Sequence, residues 1–531
     1  MDKNILSYKP INCVQRKHIL AVSKVSRHVL RLLRLISPVY MKHILLYSHI
    51  QIQKIDLLIE YWKKFQDRKV RLIFAFRHPY GDEPQLFAYV FSNLLFHYSH
   101  RSENPLIEIP HARFVHGYEV ALWGDALIRW VLPRMGAVPI FHSRFDSAGM
   151  KVIRHILAND EYPLALAPEG QVSYRSETIP RLETGTARMG FWCAQDLEKE
   201  NRSEEVIILP LTVYHEYNRK DYKKLEKIVE RLEHLCGLHK LDSNEINSSL
   251  QSPLCDNVTL NKNRDDAIKK MIPPEKWKQK QNGKMMFLFE TDMVNRLIKI
   301  ESKLIVMTEL YYQESYGYLP SSDIGLSNEE RQIRWDELLL FALDIAERIL
   351  GISQIKPYSH QSDTQEPIVD HSTEPREHMI NRVYKIRQVG WDRIYADIPE
   401  DASKLQKNVA DRRAGEAWYA MRHMEFVDLV YYLDTKYLEG NDKNSPSYDR
   451  IVETAFNLYD IISRLSGGNF SNRLNTIRKK AIVYPCNPIN LTERLQDYKK
   501  NWKSAVNTAM TDLNESFQNN IKEYLDGKEQ Q

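Results

Sequence analysis

The residues best suited to chemistry lie in 71–85, RLIFAFRHPYGDEPQ. An apolar, strand-like run ends in Arg77-His78. A turn containing Pro79 and Gly81 follows, then Asp82 and Glu83, then Pro84 in what reads as the first turn of a helix. A histidine on a strand-to-helix turn, with a carboxylate four or five residues on, suits general-base work. The imidazole takes a proton, and the acid fixes its tautomer and stabilises the imidazolium. A plainer reading places Asp82 or Glu83 at a helix N-terminus, where negative charge is favoured, and His78 as a packed turn residue. This segment alone leaves both readings open.

Three further segments matter less singly. In 164–173, LALAPEGQVS, Gly170 would let backbone approach a ligand and Glu169 would accept hydrogen bonds from hydroxyls. A plain turn is the alternative there. Residues 136–144, GAVPIFHSR, form a short strand followed by Arg144, and 207–213 form an apolar strand with an internal proline. His97, His100, His111 and His116 fit no common zinc spacing, so no metal is expected.

Taken in order, these segments resemble the glycerophospholipid acyltransferases. That family carries His-(four residues)-Asp, then Gly-x-x-aromatic-apolar-x-Arg, then Phe-Pro-Glu-Gly-Thr-Arg-Ser, then apolar-apolar-Pro-Val. Here the four blocks begin at His78, Gly136, Ala167 and Leu209, and Gly185 and Arg188 in LETGTARMG resemble the Gly-x-x-Arg helix start after the third block. The resemblance spans 71–217. The chain departs from it in three places. Glu83 stands where the family has Asp, with Asp82 one residue early. Arg144 falls two residues late. Gln171-Val172 replace Thr-Arg, leaving Arg175 as a stand-in for the missing cation.

The resemblance implies acyl transfer from acyl-CoA or acyl-carrier protein to a hydroxyl of glycerol phosphate, lysophosphatidate or a related lysolipid. His78 would be the base, with Glu83 favoured over Asp82 as its partner. Arg144, Glu169, Gly170, Ser173 and Arg175 would bind the acceptor head. No cofactor beyond the thioester co-substrate is implied. Two readings from other classes compete. One is a histidine-phosphatase-like phosphohydrolase, although Pro79 follows His78 where that fold prefers glycine. The other is an inactive, membrane-associated interaction protein on the same fold.

Around these residues the chain reads as an α/β core, a mixed sheet flanked by helices, within a helix-rich protein. Only 19 of 531 residues are glycine, which argues against a turn-rich all-β fold. The α/β core is expected over 71–217 and a helical domain over 218–475, with disordered loops near 242–264 and 358–377. A strand at 476–490 is expected to return to the sheet, making 218–475 an insertion, and one helix is expected over 491–531. Pro485 and Pro488 confine that strand to an end or an edge.

Residues 1–71 hold fifteen Lys and Arg against four Asp and Glu, so the remaining 460 residues are net acidic. The pattern at 14–36 predicts a basic amphipathic helix, with Lys24, Arg27, Arg31 and Arg34 opposite Val22, Val25, Val29, Leu33 and Ile36. Pro38 is expected to end it and a second apolar helix to cover 39–62. The segment alone equally fits an ordinary helix packed on the body with a solvated basic face. Taken with the resemblance, residues 1–70 are expected to bind an anionic phospholipid surface rather than nucleic acid, for which no module is recognisable. Five scattered cysteines without a Cys-x-x-Cys pair fit a reducing compartment. No signal peptide or spanning helix is read, so the expected location is the cytoplasmic face of a membrane, peripherally bound.

Overall fold

The computed structural model describes residues 10–15, 23–101, 105–117, 120, 126–140, 147–238, 283–320, 326–352, 376–439, 446–466 and 476–529. Arg144, the expected loop at 242–264 and nearly all of that at 358–377 lie outside the described residues.

Among the described residues, eight strands form one mixed sheet. They are β1 (Tyr47–Ile52), β2 (Val70–Phe76), β3 (Arg113–Gly117), β4 (Val138–Ile140), β5 (Leu164–Leu166), β6 (Glu205–Tyr217), β7 (Lys479–Pro485) and β8 (Ile489–Asn490). The order is β1-β7-β6-β2-β5-β3-β4, with β8 on β6. β7 and β8 run antiparallel to β6, and every other pairing is parallel. β2 is buried along its whole length, as a strand covered on both faces must be. Its alternate residues divide between two cores. Leu72, Phe74 and Phe76 meet Trp62, Phe87 and Phe91 from helices Ile55–Gln66 and Glu83–Tyr89 and the turn after them. Ile73 and Ala75 meet Phe191, Leu513 and Phe517 from helices Gly185–Lys199 and Trp502–Glu529.

Val483 pairs with Val213 on β6 and with Ile52 on β1, so the late strand does rejoin the sheet. It lies in the interior, with Pro485 at its end where no ladder donor is needed. The helices Tyr222–Leu235, Gly283–Tyr316, Asn328–Ile349, Arg376–Ile394, Lys404–Tyr431 and Tyr448–Leu465 fall between β6 and β7 in the chain. They share a third core, which also takes in Tyr80, Tyr174 and Tyr217.

Several expected elements are corrected. The amphipathic helix is Arg27–His43, with residues 23–26 non-helical and Pro38 inside it. Pro38 cannot donate to the Arg34 carbonyl four residues back, but Asn93 Nδ2 and Ser37 Oγ do so instead, each at 3.0 Å. The apolar face also differs from the expected one. Val29 is buried, while Leu32, Leu35, Ile36 and Val39 are exposed. Residues 39–62 do not form one helix, because β1 interrupts them and carries the sheet into the segment assigned to membrane helices. The C-terminal helix is two, Leu495–Lys500 and Trp502–Glu529. No helix among the described residues is long and apolar enough to cross a membrane.

Candidate active site

The turn after β2 carries the site. The Arg77 amide extends the ladder by donating to the Leu211 carbonyl, and the Ser173 amide donates to the His78 carbonyl. Gly81 has φ +113°, a conformation that favours glycine, and it brings the chain into the helix that starts at Glu83 with Pro84 in its first turn.

His78 Nδ1 lies 2.6 Å from Glu83 Oε2. The Glu83 carboxylate is fully buried, and it also accepts from the Gly81 amide at 2.8 Å and the Tyr80 amide at 2.9 Å. Burial alone would raise the Glu83 carboxyl. The hydrogen bond and charge of His78, with His215 and the Gly81 amide, outweigh it and hold the carboxyl down at about 2. Glu83 is thus an anion at neutral pH. With the imidazole proton on Nδ1 facing it, Nε2 keeps its lone pair for the cavity that His78 lines.

Asp82 does not touch His78 through any hydrogen bond of the site. Its Oδ1 accepts from the Tyr47 hydroxyl at 2.7 Å, and its Oδ2 pairs with the buried Lys479 Nζ at 2.6 Å. Of the two carboxylates, Glu83 is the one in contact with the His78 ring. Tyr47 also lies 3.1 Å from His215 Nε2, which is 3.8 Å from Glu83 Oε1. Burial and the Lys479 charge push the His215 imidazole down to about 4, against the pull of Glu83 and Asp82, so it is neutral. Asp82, Glu83 and His215 offer donor atoms within 4.8 Å of one another. The set does not suit a metal ion, because Lys479 already supplies the cation and Glu83 is committed to His78 and two amides.

The cavity has a volume of ≈ 1020 Å³, at the upper end of the ~300–1,000 Å³ typical of small-molecule sites. It lies beyond the C-terminal ends of the parallel strands, between the sheet and the helices that follow β6, where open α/β sheets bind ligands. Phe76, His78 and Gly81 line one part. Met150, Met189, Trp192, Trp391, Trp418 and Met421 make much of the remainder apolar.

The other expected site residues divide. Gly170, at φ +76°, lines the cavity, and a Cβ there would lie 2.7 Å from Glu183 Oε1. Glu169 does not line it. One oxygen pairs with the buried Arg77 and accepts from the His78 amide at 3.2 Å, and the other is buried with no hydrogen-bond partner among the described residues. Ser173 is fully buried, and its hydroxyl has no hydrogen-bond partner among the described residues. Arg175 pairs with Asp434 at 2.7 Å, outside the cavity lining, so it does not stand in for the missing cation. Arg188 lines the cavity, stacks over Trp192 and Trp502, and has no carboxylate partner among the described residues. Tyr47, His215 and Lys479 were not expected at the site. They come from distant segments without a local motif: Tyr47 opens β1, His215 lies on β6 and Lys479 opens β7.

No known family model matches the chain, and no curated protein matches it.

Proposed function

We propose that the protein is an O-acyltransferase that moves a fatty acyl group from a thioester, acyl-CoA or acyl-carrier protein, to a lysolipid or glycerol phosphate hydroxyl. One observation carries the reading: a histidine held 2.6 Å from a buried carboxylate opens into a large, mainly apolar cavity. His78 Nε2 takes the acceptor proton as the hydroxyl oxygen bonds to the thioester carbonyl carbon. The C–S bond then breaks, and the departing thiolate takes that proton back from His78. Glu83 holds the ring and stabilises the imidazolium. The acyl chain fits the Met- and Trp-lined wall, and Arg188 is the cation suited to an anionic acceptor head.

In this reading the β1–β8 sheet is an acyltransferase-type core, and the helices between β6 and β7 are an inserted domain that walls the acyl site. Helix Arg27–His43 would hold the protein at the cytoplasmic face of an anionic membrane through Leu32, Leu35, Ile36 and Val39. A phosphohydrolase mechanism is disfavoured, because Arg77, the cation beside His78, is buried against Glu169 and does not line the cavity.

The test is mass spectrometry of lipids after incubation with acyl-CoA or acyl-carrier protein and a panel of lysophospholipids and glycerol phosphate, with His78→Ala as control. New acylated product that disappears in the variant is expected. No product from any acceptor, or equal product from His78→Ala, would overturn the proposal.

A further inference from the structure

Behind the dyad lies a buried polar chain that does not line the cavity. Lys479, at the start of β7, is wholly buried. Its ammonium sits 3.5 Å from the Tyr80 ring centroid, 4.6 Å from that of Tyr47, and 2.6 Å from Asp82 Oδ2. Asp82 leads through the Tyr47 hydroxyl to His215, and His215 to Glu83. Taking an ammonium and a carboxylate out of water is costly, and apolar residues of similar volume would fill the space at least as stably. Packing alone is therefore a weak account of the pair.

The charges supply another. Lys479 cancels Asp82, and His215 is neutral. The cluster then carries the single negative charge of Glu83 while His78 is neutral, and none once His78 takes a proton. Without Lys479, Asp82 would add a second buried negative charge beside Glu83, which favours the protonated imidazole over the neutral one. A base works best with its proton affinity near the operating pH.

We propose that Lys479, paired with Asp82, is a positioning residue that sets the proton affinity of His78. The statement rests on the acyltransferase reading only in calling His78 the base. Other charged and titratable groups face this region. Glu169 and Arg77 pair beneath the His78 amide. Tyr80 and Tyr217 flank His215, and Glu183, Arg387 and Asp428 line the far side of the cavity. The variants below leave all of these in place.

The test uses the full chain without substrate. His78 is carbethoxylated with diethyl pyrocarbonate across a pH series, and its peptide is quantified by mass spectrometry. The rate follows the neutral imidazole fraction. Lys479→Met is expected to raise the proton affinity of His78 by roughly three- to tenfold. Asp82→Asn is expected to lower it, and the double variant to return it near the wild-type value. An unmoved midpoint in either single variant, or shifts of the same sign in both, overturns the proposal. Each single variant decides by its own sign, and Lys479→Gln replaces Lys479→Met if the latter does not fold. Opposite shifts in a protein that transfers no acyl group would keep this inference and sink the acyltransferase reading.

Discussion

Glu83→Gln tests the site most directly, because the structure sets both the size and the pH dependence of its effect. The carboxylate is fully buried, holds His78 at 2.6 Å, and accepts two backbone amides. Its proton affinity falls from an ordinary 4.5 to about 2. At about 1.4 kcal/mol per pH unit, that gap corresponds to about 3 kcal/mol of stability at neutral pH. A group with a depressed folded-state value contributes fully above its unfolded value and loses that contribution as pH falls through the folded one. The glutamine variant should therefore melt below the wild type at pH 7. The difference should shrink below about pH 4.5 and close near pH 2. Turnover should fall by ~10²–10⁴-fold, because a neutral amide can accept from the backbone but cannot stabilise an imidazolium. The assay is thermal unfolding by circular dichroism over a pH series, beside acyl transfer at neutral pH. A melting difference of equal size at acid and neutral pH would refute the electrostatic argument, and turnover within threefold of wild type would refute the catalytic one.

Asp82→Asn leaves the Lys479 ammonium buried without its carboxylate, so it should cost ~3–5 kcal/mol. Asp82→Asn/Lys479→Met should recover most of that loss in the same melting assay. Gly170→Ala forces φ +76° on a residue with a Cβ and crowds Glu183, so it should lower stability by ~1–2 kcal/mol and disturb the cavity wall, read as a raised KM for the acceptor. Leu35→Glu, at a side chain 76% exposed, should abolish flotation with anionic liposomes while leaving the melting temperature unchanged, and wild-type flotation should weaken with salt.

The parts of this fold that could be read from sequence are those whose burial is regular. β2 is apolar at nearly every position because both faces are covered, and the His78 turn follows directly from it. Spacing alone leaves Asp82 and Glu83 both open, and only the resemblance, whose second dyad member stands five residues after the histidine, favours Glu83. β1 was missed for the opposite reason. YSHIQI has no clean alternation and only Tyr47 is buried. The turns on either side are made by Leu46 at φ +58° and Lys54 at φ +47°, where a propensity reading looks for glycine or asparagine. With no punctuation visible, 39–62 read as one helix. Arg175 misled because its spacing from Glu169 says nothing about Asp434, a residue about 260 positions away that captures it.

That capture belongs to a wider pattern. The loop after β5 is held from the sheet side by Arg77, which donates to the carbonyls of Arg175 and Thr178. From the helical side, Tyr432 donates to the Glu169 carbonyl at 2.7 Å, Gln171 donates to the Asp428 carbonyl at 3.0 Å, and Arg450 pairs with the buried Glu177 at 2.6 Å. Charges buried in this loop are thus satisfied partly by groups that arrive more than 250 residues later. A loop so placed cannot keep its shape if either side is removed, because each lost partner leaves a buried polar group unpaired at ~1–3 kcal/mol. The helices between β6 and β7 are therefore part of the machinery that shapes the cavity. The strand that follows them brings Lys479 to the back of the dyad while they close its front. The chain order of sheet, helices and returning strand is what lets one connected segment do both.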